Sequence, residues 1–137
     1  MKKIFVDTNI LVDLIADRRP FSKFAIQIFS KAEDRIIQLY TSSHSIATTH
    51  YLLKKYIKES ELRDVLFNLL DYLNIVAIDQ ETIKKALKSK HKDFEDAIQI
   101  ISTSSIGKVD CIVTRNVKDF KDAEIPVLSP DELIKLI

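Results

Sequence analysis

Short apolar runs rich in β-branched residues alternate along this chain with helix-length amphipathic stretches. That alternation limits the fold more than any other feature of the sequence. The runs are KIFV (3–6), IQLYT (37–41), IVAI (75–78), CIVT (111–114) and PVL (126–128). Parallel strands need crossover connections, usually helical, and a sheet built this way is covered on both faces. Right-handed crossovers put the carboxyl ends of all its strands on one rim. In open α/β sheets that rim carries the site, so acidic residues just after strands weigh more than acidic residues elsewhere.

The intervening stretches carry recognisable helix starts. SKFAIQIFSKAE opens on Ser22 and brings Phe21, Phe24, Ala25, Ile28 and Phe29 to helical spacing. SIATTHYLLKKYI begins at Ser45, and SELRDVLFNLLDYL opens on Ser60 with an apolar stripe running from Leu62 through Val65, Leu66, Leu69 and Leu70 to Leu73. Asp79 and Asp93 open the next two helices. Ser129, Pro130 and Glu132 spell a capping box with proline at the first helical position.

Composition bounds the function. The 137 residues suit one domain spanning 1–137, and 46% apolar with 30% charged residues describes a chain that buries a core. A net charge of +1 provides no global field for a polyanion, so any nucleic-acid contact depends on a local patch or on metal ions. Gly107 is the only glycine, which excludes the P-loop and the dinucleotide fingerprint. A single cysteine, Cys111, excludes an internal disulfide and any multi-cysteine zinc site, and its place in a strand-like run predicts a buried structural thiol. No apolar run reaches spanning length and no signal-like segment opens the chain, so the expected location is cytoplasmic, away from membranes.

Three segments bring acids to the carboxyl rim. Asp7 follows the first strand directly; Asp93, Glu95 and Asp96 open a helix; Asn116 and Asp119 follow the fourth strand. Carboxylates gathered without basic partners repel one another, a situation that cations relieve. Oxygen-only donors favour Mg²⁺ or Mn²⁺ over zinc, and such a site suits phosphodiester hydrolysis. Each acid also has a simpler role. Asp7 has the place of a helix cap, Asp93 and Asp96 have cap and N3 spacing, Asn116 suits a turn, and Asp119 suits solvent. Spacing alone leaves both readings open.

The segments IFVDTNILVDLI, DFEDAIQI and IVTRNVKDF resemble the acidic motifs of the PIN-domain family, in order and in approximate spacing, over essentially the whole chain. Small members of this size are VapC-like toxins, Mg²⁺- or Mn²⁺-dependent ribonucleases of toxin–antitoxin pairs. The resemblance implies a three-layer α/β/α sandwich with a five-stranded parallel sheet, its first and fourth strands side by side. It makes Asp7, Asp96 and Asp119 the catalytic, metal-binding acids, with Asp93 a further acid one helical turn before Asp96. Thr8, Asn9, Thr114 and Asn116 fall among the polar residues beside the site. It further implies an RNA substrate, an antitoxin protein and a homodimer, with early helices lining the antitoxin groove.

The chain departs from the family at the second acid. The corresponding helix, within SSHSIATTHYLLKK, contains no carboxylate and places Thr48 at that position. A threonine hydroxyl orients a water or a hydrogen bond but brings no charge; Asp93 or Glu95 is the nearest replacement. Arg115, next to the acidic rim, is the expected phosphate contact. His44 and His50 lie six apart, not on one helical face, and read as surface residues; so does the basic run Lys88, Lys90, His91 and Lys92. Two functions follow: a metal-dependent endoribonuclease, or a PIN-like module weakened or inactivated by the missing acid that binds RNA or protein. A phosphotransfer domain of similar architecture would need a second acid beside Asp7, where Thr8 stands.

Overall fold

Strand β1 (Lys2–Val6) divides the interior of the molecule. Successive strand side chains point to opposite faces, so Ile4 and Val6 enter one core while Phe5 enters another. The structure, a computed structural model, describes all residues from Met1 to Ile137. After β1 come α1 (Thr8–Ala16), α2 (Ser22–Glu33), β2 (Ile37–Ser42), α3 (Ser43–Leu53), α4 (Glu59–Leu69) and β3 (Leu73–Val76). They are followed by α5 (Gln80–Lys88), α6 (Phe94–Ser102), β4 (Cys111–Val113), β5 (Val127–Leu128) and α7 (Pro130–Ile134). Single 3-10 turns occupy Thr103–Ile106 and Val117–Phe120.

All five strands are parallel in the order β3-β2-β1-β4-β5, so β1 and β4 are neighbours. On one face, Ile4, Val6, Leu39 and Val113 pack against Ile10 and Leu11 of α1, Ile28 and Phe29 of α2, and Leu133 of α7. On the other, Phe5 and Ile112 pack with Phe120, and with Ile100 at the end of α6. A third cluster, Val12 with Leu53, Leu62 and Leu66, joins α1 to α3 and α4. The result is the three-layer α/β/α sandwich expected from the sequence. No helix is long and apolar enough to cross a membrane.

The caps explain most element starts. Asp7, Ser42, Asp79, Asp93 and Ser129 each accept a backbone N–H of the helix that they open, and Ser129 with Glu132 completes the capping box. α3 therefore begins on the Ser42 cap rather than at Ser45, and α4 begins at Glu59 rather than on a Ser60 cap. The third strand is displaced from 75–78 to Leu73–Val76. It pairs from Leu39↔Leu73 to Ser42↔Val76, and the ladder stops because Ser42 leaves β2 to cap α3. Leu73 thus belongs to the sheet core, while Val65 and Leu70 of the predicted stripe are exposed. Phe29 is buried as expected, whereas Phe21 lies at the surface. Cys111 is buried, and burial together with the Asp110 charge pushes its thiol up to about 11.

Phe120 is fully buried beneath the turn that carries Asp119. Phe120→Ala is expected to cost about 3–5 kcal/mol in urea unfolding. Phe67→Ala, at a side chain 74% exposed, should stay within about 0.5 kcal/mol. Equal effects at the two positions would contradict this packing.

Candidate functional site

The backbone N–H of Asp7 still donates to Val113 O of β4 at 3.0 Å, continuing the sheet one residue past β1. Its side chain turns at once into capping α1. Oδ1 accepts the Thr8 N–H at 2.7 Å, and Oδ2 accepts the Thr114 hydroxyl at 2.8 Å and the Asn9 amide at 3.3 Å. Gln99 of α6 reaches Oδ1 at 3.5 Å. Asp7 is thus a cap and a site residue together, only 8% exposed. Burial pushes its carboxyl above the ordinary value; the bonds from Thr114, Thr8 and Gln99 pull it back, and the Asp119 charge pushes it up again.

A buried polar net continues from there. The Ser42 hydroxyl donates to Gln99 Oε1 at 2.6 Å, Gln99 Nε2 donates to Ser45, and the Thr8 hydroxyl donates to Ser45 Oγ at 2.9 Å. Gln99, 3% exposed, was not singled out in the sequence; its signal is a polar residue three after Asp96 on an otherwise apolar helix face.

Asp96 lies half-buried on the first turn of α6, its backbone N–H bonded to the Asp93 cap at 3.0 Å. Burial comes first in pushing its carboxyl up to about 7, followed by the charges of Asp93, Asp7, Asp119 and Glu95. All the acids expected from the sequence therefore act on one carboxyl. They line two adjoining clefts that share Asp96: Asp7, Thr8, Thr48, Glu95 and Asn116 in one, Asp93 and Asp119 in the other. Asp119 sits on the 3-10 turn after β4, its N–H bonded to Asn116 O at 2.9 Å, and the Asn116 N–H bonds Thr114 Oγ1 at 3.0 Å.

Thr48 faces the first cleft with His44, whose Nε2 lies 3.3 Å from the Thr48 hydroxyl and 3.7 Å from Glu95 Oε2. His44 is therefore a cleft residue, which linear spacing from His50 did not reveal, and α3 brings no carboxylate. Arg115, the expected phosphate contact, is engaged inside the fold: its guanidinium grips Asp13 at 2.6 and 3.2 Å and lies 4.1 Å from the Phe21 ring centre. Its backbone N–H also bonds Asn9 Oδ1 at 3.3 Å. Asp13, 1% exposed, is the acid that sequence reasoning passed over, although it interrupts the apolar helix ILVDLI.

No three acids or histidines stand close enough together to ligate one ion by themselves. That arrangement fits Mg²⁺, which keeps several waters and takes one or two carboxylates plus substrate phosphates in place of a protein cage. The acids around Asp96 offer oxygen donors, and their mutual repulsion is what a divalent cation would relieve.

Fold and site together define a parallel α/β/α domain with a carboxylate-lined rim at the strand ends. The chain belongs to the PIN domain family, whose family model matches residues 3–118. It is 30% identical, over 96% of its length and 92% of the relative's, to a protein of Aquifex aeolicus (strain VF5) called Ribonuclease VapC1. Among solved structures, a toxin–antitoxin complex from Klebsiella pneumoniae is similar, with TM-score 0.65 and 31% identity over 93% of this chain and 97% of that one. VapBC2 from Rickettsia felis, bound to a promoter DNA fragment, has TM-score 0.67 at 17% identity over 93% and 98% of the two chains, a likeness of fold.

Two outcomes follow. Folding favours the protonated form of Asp96, so the stability linked to it is complete below the ordinary value of 3.8 and is lost as pH rises through about 7. Asp7 acts in the same direction. Metal-free protein should therefore melt at a lower temperature at pH 7.5 than at pH 5 by calorimetry, and Asp96→Asn should flatten the difference. Separately, Arg115→Met leaves Asp13 charged and buried and should cost on the order of 3 kcal/mol in denaturant unfolding, much of it recovered in Asp13→Leu/Arg115→Met.

Proposed function

We propose that this protein is a Mg²⁺- or Mn²⁺-dependent endoribonuclease and the toxin of a cytoplasmic toxin–antitoxin pair. The observation that carries the reading is the gathering of Asp7, Glu95, Asp96, Asp93 and Asp119 around two adjoining clefts that share Asp96 at the carboxyl rim of the sheet. The Aquifex relative is called a ribonuclease, and the Klebsiella neighbour is a toxin–antitoxin complex. Both support an RNA substrate and an antitoxin partner here, and the homodimer is part of the same reading.

Asp7, Asp96 and Asp119 would surround the cation, one or two of them as direct ligands and the rest through its waters, with Asp93 beside them. When bound, the ion supplies Lewis acidity toward the phosphodiester and its leaving oxygen. The chain's own residues prepare for this. Thr114, Asn9, Gln99 and the Thr8 N–H fix the Asp7 carboxyl, and the Arg115–Asp13 pair ties the loop bearing Asn116 to α1. A backbone splayed open in a single-stranded loop is the form of RNA that enters such a cleft. One observation favours the second reading, a weakened or inactive module that binds RNA or protein: α3 offers Thr48 and His44 to the cleft and no carboxylate.

Purified protein should cleave RNA with Mg²⁺ or Mn²⁺ and stop in chelator. Asp7→Asn and Asp96→Asn should each reduce the rate more than about a hundredfold, beyond the loss typical of outer-shell partners. Cleavage that survived both substitutions would remove these acids from the site. RNA bound but left intact by folded, metal-loaded protein would establish the second reading.

A further inference from the structure

Helix α6 runs past three concavities that share residues. Glu95 and Gln99 line the first cleft, of about 230 Å³, together with Arg18 and His44. Asp93 and Asp96 line the second, of about 270 Å³, among Lys92, Lys118 and Lys121. His91 and Asp122 then connect the second cleft to a cavity of about 340 Å³, floored by Ile100, Ile101, Val109 and Ile125 and edged by Ser104 and Glu124. Asp96 lines the first two spaces together, so the acids stand where neighbouring concavities adjoin.

The cations along them are unengaged. Arg18, Lys92, Lys118 and Lys121 form no ion pair, in contrast to Arg115, which is held by Asp13. Arg18 lines the first cleft with Asp7, Glu95 and Asp96, and Lys118 and Lys121 line the second with Asp93, Asp96 and Asp119. The terminal cavity has a different chemistry, with aliphatic walls for a flat apolar face and the Asp122 and Glu124 carboxylates to accept from exocyclic amino groups. Unpaired cations in two acid-lined clefts, beside a partly apolar cavity with hydrogen-bond acceptors, suit a single polynucleotide strand with one base turned inward.

We propose that these spaces form one path for a single RNA strand. Arg18 holds backbone phosphate in the first cleft, Lys118 and Lys121 hold it in the second, and the cavity beside Ser104 takes a flanking base. The proposal rests on the ribonuclease reading for the identity of the strand. It adds the residues that bind the strand away from the reacting phosphate, and it locates base preference in the Ile100–Ile125 cavity. A duplex keeps its bases stacked and offers none to that cavity.

The test is fluorescence anisotropy of wild-type protein with a short fluorescein-labelled single-stranded oligoribonucleotide in chelator, across a salt series. The variants are Lys118→Ala/Lys121→Ala, Arg18→Ala and Ser104→Trp, the last filling the cavity, with Ser104→Leu as a milder filling. Circular dichroism checks each fold. The lysine pair should lower the slope of log affinity against log salt by about 1.4, at about 0.7 per phosphate contact, and Arg18→Ala by about 0.7. Ser104→Trp should weaken binding about tenfold without changing the slope. In Mg²⁺, all three variants should raise KM for RNA cleavage and leave kcat unchanged.

Wild-type protein that fails to bind the strand, variants that keep its affinity and slope, or a duplex that binds equally well would each overturn the path. Cleavage of RNA by variants with unaltered KM would overturn the path while leaving the ribonuclease reading intact. Binding that responds as expected without any cleavage would support the path and remove the activity.

Discussion

A buried carboxylate at the first strand exit organises this protein. Asp7 is placed by continuation of the β1–β4 ladder and then held by donors from α1, from Thr114 after β4 and from α6. A buried ionised group without such donors would cost several kcal/mol, at roughly that order, so Thr114, Asn9, Gln99 and the Thr8 N–H are conditions of its being there. The same bonds fix the relative positions of three elements. The Ser42–Gln99–Ser45–Thr8 net and the Asp13–Arg115 pair extend that bracing to α3 and to the loop before Asp119.

That bracing concentrates negative charge. Asp96 receives the fields of Asp93, Asp7, Asp119 and Glu95, and no basic side chain is paired with it. The strained ionisation is the physical opposite of the Asp13–Arg115 contact, where a buried carboxylate has its cation built in. One acid has its counter-charge inside the fold, whereas Asp7, Asp96 and Asp119 at the rim form no ion pair. The distinction separates a structural acid from candidate functional ones more sharply than burial alone, since Asp7 and Asp13 are both buried.

Much of this was legible in the chain. Alternating strand and helix patterns, the caps at Asp7, Asp79, Asp93 and Ser129, and the recurrence of acids after strands are local features, and local chemistry decides them. β3 shifted because its limits depend on where β2 ends, at Ser42, which no property of IVAI encodes. The Arg115–Asp13 contact was not legible because its partners lie 102 residues apart in sequence, and the place of Gln99 was not, because its partners Ser42, Asp7 and Ser45 lie on other segments. His44 was set aside by a spacing argument within one helix, while its neighbour across the cleft, Glu95, lies on another.

By itself the sequence determined the class of fold, the strand exits at which acids stand, and the absence of a carboxylate at Thr48, because periodicity, capping and residue identity are properties of short segments. Only the tertiary structure decided which acids share a field and which one is already paired. It also decided that the cations Arg18, Lys118 and Lys121 line the same two clefts as the acids. Charge acts through space, and the order β3-β2-β1-β4-β5 sets those distances by bringing together segments that lie far apart in the chain.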